Sequence, residues 1–184
     1  MRGRSLLVVT LTLAALGLAG CGGTATAQRT TTGAPPLHLP PKPDPKRFLQ
    51  VDAAHHAVRL TLIAGDGASN NGFNFDDYGR GELLVTVPRG WRVTVLCKNA
   101  GSGPNSCAVV QGPRATHPAF EGATTPHPVS GLQGGQSASF TFTASRVGVY
   151  RLASVVPGHE AARMYDVLQI TRGGRPSISA RPGP

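Results

Sequence analysis

The sequence predicts an all-β fold: a sandwich of short strands in a single domain, flanked by two tails of unlike composition. Short runs rich in Val, Ile, Phe, Tyr and Thr recur through the middle of the chain, and each is bounded by Gly, Pro or Asn. Several runs alternate apolar and polar residues, which is the period of a strand with one buried face. Regularly spaced strands with turn signals between them favour a sandwich or a barrel.

The alternation is clearest at residues 92–95 and 139–143. Residues 112–135 are rich in Pro, Thr and His, and we expect them to form a long surface loop. The large side chains expected in the core are Trp91, Phe140, Phe142 and Tyr150. The predicted strands are 57–64, 82–87, 91–98, 106–111, 137–144, 148–155 and 165–171.

The N-terminus has the composition of a secretory signal peptide, predicted at residues 1–20. Arg2 and Arg4 precede an apolar run at residues 6–18, and a basic segment followed by a short apolar segment directs export. The run is shorter than the roughly 20 apolar residues that span a bilayer. We therefore expect an exported protein.

Residues 18–21, Leu-Ala-Gly-Cys, resemble the bacterial lipobox, in which the cysteine is lipid-modified and becomes the new N-terminus. The sequence thus predicts a lipoprotein, acylated on Cys21 and anchored to the extracytoplasmic face of the cell membrane. The alternative is an ordinary secreted protein with an incidental Cys21. Residues 21–47 are predicted to be a Pro/Thr-rich linker, residues 48–172 the domain, and residues 173–184 a disordered tail.

The formal net charge of +9 bears on the class of partner. Basic residues are scattered singly and no stripe of them is interleaved with aromatics, so the sequence does not predict nucleic-acid binding. Anionic lipid headgroups, or an acidic or redox partner protein, suit this charge better.

Three cysteines are present. If Cys21 is acylated, Cys97 and Cys107 remain as an even pair in an oxidising compartment, where disulfides persist. A disulfide between them is therefore predicted, and two free buried thiols are the alternative.

The stretch from residue 60 to residue 171 carries short motifs in a fixed order. They are Gly72-Phe73-Asn74-Phe75, Tyr78-Gly79, residues 85–95, residues 119–123, residues 135–144, residues 148–152, Pro157-Gly158-His159 and Met164-Tyr165. In this order they resemble the cupredoxins, and most closely the sulfocyanin group of small blue copper proteins. The resemblance implies a cupredoxin-like Greek-key β-sandwich, copper binding and electron transfer.

The resemblance also implies the position of a copper site. In the family, one His on an early strand joins Cys, His and Met from a loop with the spacing Cys-x4-His-x4-Met. Two imidazoles and a thiolate hold copper, and a weak axial Met tunes its potential. His159 and Met164 match this pattern, but Asn105 occupies the position of the first His and Ser154 that of the Cys.

Three hypotheses for function follow. The first, which we expect, is a cupredoxin-like module without a type 1 copper site and without a cofactor, acting in binding or scaffolding. The second is a non-standard copper site for Cu(I) carriage, in which His117, His127 or Cys107 joins His159 and Met164, because thiol and thioether favour Cu(I). The third is electron transfer with an unusual or partner-supplied ligand.

An enzyme is not expected. Ser154 and His159 could be imagined as nucleophile and base, but no Gly-x-Ser-x-Gly elbow surrounds the serine. Asp66, Asp76 and Asp77 do not match the spacing of an EF-hand loop and are interpreted as turn residues.

Overall fold

The computed structural model describes residues 41–182. The predicted signal peptide, the predicted lipid site at Cys21 and most of the predicted linker lie outside these residues. Within them, no helix combines the length and the apolar character that crossing a bilayer requires. Strands dominate, and the only helical segments in this part of the chain are 3-10 turns at Pro45–Phe48 and Ser69–Gly72.

Two sheets form the sandwich. The first has four strands in the order β1-β2-β4-β6, and the second has five in the order β5-β7-β8-β3-β9. The strands are β1 Leu49–Asp52, β2 Ala57–Ala64, β3 Leu83–Pro88, β4 Arg92–Asn99, β5 Ala108–Val110, β6 Ser137–Thr143, β7 Gly148–Ala153, β8 Tyr165–Thr171 and β9 Ser177–Ala180. The all-β prediction is confirmed, and the predicted bounds of β2 and β8 match the structure.

Crossings of the chain between the sheets create the parallel pairs. Strand β3 lies in the second sheet, yet its sequence neighbours β2 and β4 pair in parallel in the first. Likewise β3 and β8 are parallel neighbours in the second sheet. Parallel neighbours need a crossover connection. Here the connection from β2 to β4 contains β3, which is a strand of the facing sheet.

The core lies between the two sheets, where the alternation directs apolar side chains inward. Leu60 and Leu62 of β2 are fully buried, and Phe140 and Phe142 of β6, a strand of the same sheet, belong to the same core cluster. Trp91 differs from the expectation: it is only partly buried, and its ring lies 5.3 Å from that of His56. It therefore packs at the edge of the core.

The C-terminal segment was expected to be a frayed tail from residue 173 onward, and this is wrong for residues 177–180. They form β9, which pairs antiparallel with β3 from Thr86–Ser177 to Leu83–Ala180. The physical reason is that Ile178 is buried in the core and that the free edge of β3 supplies hydrogen-bond partners to the segment.

The linker was expected to continue to residue 47, and the structure shows contacts to the domain already at residue 42. Lys42 forms an ion pair with Glu82, and Tyr78 donates a hydrogen bond to the carbonyl oxygen of Pro43. Pro45 at the start of the 3-10 turn has the fixed φ that a helical turn requires. Burial of Phe48 then holds the turn against the sandwich.

The predicted disulfide is present. Cys97 of β4 and Cys107, just before β5, are bonded with a Cα–Cα distance of 5.9 Å, and both are fully buried. Residues 112–135 contain no strand and form the expected long loop, although Phe120 and Ala123 within it are buried in the core.

Candidate functional site

Two loops at one end of the sandwich carry the four positions where the resemblance predicts ligands. Asn105 lies in the loop between β4 and β5, and Ser154, His159 and Met164 lie in the loop between β7 and β8. Glycines allow the first loop to pack closely: a Cβ added to Gly65 would lie 2.8 Å from the Cα of Gly101. The structure therefore brings these positions to one region.

Ser154 and His159 are joined by a direct hydrogen bond. The Ser154 hydroxyl oxygen lies 2.9 Å from Nδ1 of His159. The same oxygen accepts the backbone N–H of Ser106 at 3.2 Å, and the Ser106 hydroxyl lies 3.4 Å from it. Ser106 Oγ itself accepts the N–H of Val155. A series of hydrogen bonds therefore connects the backbone N–H of Val155, the hydroxyl groups of Ser106 and Ser154, and the ring of His159.

Asn105 is part of a separate amide network. Its Nδ2 donates to Oδ1 of Asn99 at 2.9 Å, and its backbone exchanges both hydrogen bonds with Leu132. Asn99 in turn donates to the carbonyl oxygens of Gly103 and Leu132 at 2.8 and 2.7 Å. The amide at position 105 thus braces the loops, and its donor is already engaged.

Met164 is fully buried and fixed by its backbone. Its N–H donates to the carbonyl oxygen of His159 at 2.9 Å, and its own carbonyl accepts the N–H of Ser154 at 3.3 Å. These two bonds close the loop between β7 and β8 into a compact turn.

His159 lies at the border between this interior and solvent. Its ring is partly buried and meets Phe73 edge-on, with ring centroids 5.2 Å apart. Burial lowers the pKa of His159 below its ordinary value. A neutral ring suits the observed bond, because Nδ1 can then accept the hydroxyl hydrogen of Ser154. In front of the ring lies a groove lined by Gly65, Asn71, Phe73, Pro104, Asn105 and neighbouring glycines.

The further residues proposed for a non-standard copper site do not gather here. Cys107 is bonded to Cys97, so its sulfur is not a thiolate. His117 is exposed and lies 3.3 Å from the hydroxyl of Thr116, and His127 is exposed in the same long loop. Within residues 41–182, no three His, Cys, Asp or Glu side chains come together as a metal-binding group.

Two buried carboxyl groups were missed by the sequence analysis. Asp76 and Asp166 are both fully buried. Desolvation raises the pKa of Asp76 to about 8 and raises the pKa of Asp166 well above its ordinary value. One oxygen of each accepts a backbone N–H, from Ile63 and Leu83 respectively. Asp76 lies in a turn of polar residues and Asp166 is the second residue of β8, and neither setting gave a signal for this burial.

Comparison with known proteins decides the family. A family model described as "Sulfocyanin (SoxE) domain" matches residues 44–173, which is most of the chain. The chain belongs to the sulfocyanin family. The predicted cupredoxin resemblance is confirmed by this match.

One curated relative of this sulfocyanin-family chain is the protein named sulfocyanin from Sulfolobus acidocaldarius. It is 30% identical over 128 residues, which cover 63% of this chain and 64% of the relative. The chain therefore matches less than two thirds of the length of that relative.

Two of the solved structures that are similar to this chain are an auracyanin and a blue copper oxidase. A reduced auracyanin from Roseiflexus castenholzii is 24% identical, with coverage of 61% of this chain and 96% of that one and a TM-score of 0.46. A blue copper oxidase from Nitrosomonas europaea is 20% identical, with coverage of 61% and 38% and a TM-score of 0.48.

Proposed function

We propose that this member of the sulfocyanin family has lost the blue copper centre and acts as a binding or scaffold module, tethered by lipid on Cys21 to the extracytoplasmic face of the cell membrane. The observation that carries the proposal is the hydrogen bond of 2.9 Å between Ser154 Oγ and His159 Nδ1. This bond occupies the histidine nitrogen with a hydroxyl at the position where the family carries the copper thiolate.

The donor set does not suit a type 1 copper site. Such a site takes two imidazoles, a thiolate and a weak axial thioether. His159 and Met164 supply one imidazole and one thioether, whereas Asn105 offers an amide and Ser154 a hydroxyl. A serine hydroxyl stays protonated at neutral pH, and an amide is a poor ligand for copper.

The polar atoms at these positions also have partners within the protein. Ser154 Oγ accepts from Ser106 and bonds to His159, and Asn105 Nδ2 bonds to Asn99. Buried polar groups are costly when they lack hydrogen bonds, and here they are paired without a metal. These pairings support the proposal that hydrogen bonds within the protein, and not a bound copper ion, hold Ser154 and Asn105 in place.

Carriage of Cu(I) is the second candidate, and no described contact favours it. Its strongest ligand would have been Cys107, which is consumed by the disulfide with Cys97. His159 and Met164 alone would leave Cu(I) with one imidazole and one thioether.

Metal loading tests the proposal. The purified protein is incubated separately with Cu(II) and, under reducing conditions that spare the disulfide, with Cu(I), then dialysed. Copper is measured by mass spectrometry together with the visible spectrum. We expect no stoichiometric copper and no intense visible band. Retention of one copper per chain that is lost in His159→Ala, but kept in the exposed control His127→Ala, would contradict the proposal.

A further inference from the structure

A second polar cluster lies beside the candidate site, where the loop between β2 and β3 meets the loop between β7 and β8. Asn70 joins them: its Nδ2 donates to the carbonyl oxygen of Ala162 at 2.8 Å, and its Oδ1 accepts from Nε of Arg80 at 2.8 Å. The backbone N–H of Arg80 donates to the carbonyl oxygen of Arg163 at 3.0 Å. These bonds place Arg80 and Arg163 side by side on the wall of one open pocket.

The pocket is positively charged and lacks a counter-charge of its own. Its lining contains Arg80 and Arg163 together with Asn70, Asn71 and Phe73, and no carboxylate. Among the ion pairs formed by residues 41–182, none involves either arginine. A guanidinium presents a planar fork of donors that matches a carboxylate, so two arginines that line one pocket form a receptor for anionic oxygens.

Both arginines are held in the left-handed backbone region. The φ angle is 58° at Arg80 and 59° at Arg163. Glycine adopts this conformation without steric cost and is the usual residue at such turn and helix-end positions. Asn70 and Asn71, with φ of 51° and 55°, belong to the same cluster. Strained non-glycine residues concentrate at functional sites, because their side chains are needed where the backbone would prefer glycine.

We propose that Arg80 and Arg163 form a docking site for an acidic polypeptide segment, whose carboxylates bind between the two guanidinium groups. An acidic polypeptide is thus the class of partner for the proposed binding module. The docking site rests on the proposed function in one respect, which is that the protein binds a partner. It does not depend on whether copper binds.

The surroundings favour a polypeptide over a lipid surface. Asn71 and Phe73 line both this pocket and the groove in front of His159, so the charged site continues into a groove with an exposed aromatic ring. Arginine and aromatic residues dominate the energetics of protein interfaces. Anionic bilayers are bound by clusters of roughly four to eight basic residues, more than this site offers.

A peptide titration tests the docking site. The full chain is titrated with a synthetic peptide of alternating Glu and Gly, and with the same peptide carrying Gln in place of Glu. The variant Arg80→Gly/Arg163→Gly removes both guanidinium groups and relieves both backbone positions. Arg114→Gly is the matched control, because Arg114 also has a φ of 59° but lines a different pocket.

We expect the Glu peptide alone to bind, with an affinity that falls as salt rises. The double glycine variant should bind at least about tenfold more weakly, with a melting temperature no lower than that of the parent, while Arg114→Gly keeps the parent affinity. If the double glycine variant does not fold, Arg80→Gln/Arg163→Gln removes the charges and retains the parental backbone strain.

Three results would overturn the docking site. They are unchanged affinity in the double variants, equal weakening by Arg114→Gly, and binding through these arginines only to vesicles containing phosphatidylglycerol, measured in excess of binding to phosphatidylcholine vesicles. Copper retention is measured separately, so failure of the docking site and failure of the copper-free proposal are distinguishable.

Discussion

The Ser154 hydroxyl oxygen lies 2.9 Å from Nδ1 of His159, and this contact links the start of the loop between β7 and β8 to its middle. Ser154 is almost fully buried and also accepts the N–H of Ser106. We therefore expect the Ser154–His159 pair to stabilise the folded state, so that substitution of Ser154 lowers the free energy of unfolding.

Substitution Ser154→Ala should destabilise the domain without affecting metal content. It leaves the buried N–H of Ser106 without its acceptor, and an unsatisfied buried group costs about 1–3 kcal/mol. The free energy of unfolding from urea denaturation gives the size of the loss. Ser145→Ala, at an exposed position, is the control and should change stability little. Equal free energies of unfolding for Ser154→Ala and the parent would show that the contact does not stabilise the fold.

The double variant Asn105→His/Ser154→Cys should bind copper and turn blue. It returns a second imidazole and a thiolate to loops that already hold His159 and a buried Met164, which completes the ligand set of a type 1 site. Visible absorption and copper analysis after dialysis provide the measurement. Asn105→His alone, which lacks the thiolate, should stay colourless. A folded double variant that holds no copper would mean that the scaffold has also lost the geometry of the site.

Stability should fall as pH rises from about 4 to about 8, because of two buried carboxyl groups. Burial raises the pKa of Asp76 to about 8 and that of Asp166 well above its ordinary value. In the folded state the raised pKa values keep both acids protonated to higher pH, to about 8 for Asp76, while the unfolded chain loses their protons above about pH 4. Their stabilising effect is therefore complete below the unfolded pKa and is lost through the folded pKa, at up to about 1.4 kcal/mol per pH unit for each group.

Urea midpoints at pH 4.5, 6.0 and 7.5 measure this slope. Asp76→Asn is the informative variant, because its amide oxygen can still accept the N–H of Ile63 and it has no proton to lose. The slope should shrink by about half in this variant. The lowered pKa of His159 acts in the opposite direction below pH 6.5. A parent protein whose stability increases up to pH 7.5 would refute the prediction.

Removal of the disulfide by Cys97→Ala/Cys107→Ala should cost about 3 kcal/mol in the chain-entropy account, since the bond closes a loop with a sequence separation of 10. The fold should survive, and the thermal midpoint measures the change. In the native parent, a thiol reagent should label neither Cys97 nor Cys107, because their sulfurs are joined in the disulfide. A double variant as stable as the parent would indicate that the bond adds strain to the folded state that offsets its effect on the unfolded chain.

The sequence predicted those parts of the fold in which side-chain period and burial agree. Strand β2 alternates apolar and polar residues, and β8 is a short run rich in strand-forming residues, so their bounds followed from the pattern. Strands β1 and β9 were missed because each has only four residues, and β9 also directly follows Pro176. Their strand conformation depends on the free edges of β2 and β3, which only the assembled sheets provide.

At the site, the sequence predicted the spacing of Ser154, His159 and Met164. It did not predict the hydrogen-bond partners of these side chains. Nothing local distinguishes Asp76, which is buried, from Asp77 beside it, because the turn at these residues faces inward only in three dimensions. The adjacency of Arg80 and Arg163 likewise depends on two loops far apart in the chain.

The contacts of residues 42 and 43 have a mechanical consequence. A pulling force applied to the chain ahead of Lys42 would act first on its ion pair with Glu82 and on the hydrogen bond from Tyr78 to Pro43. Behind these lies Phe48, inserted in the core, and only then the edge strand β1. The contacts of Lys42, Pro43 and Phe48 must therefore break before the force can separate β1 from β2.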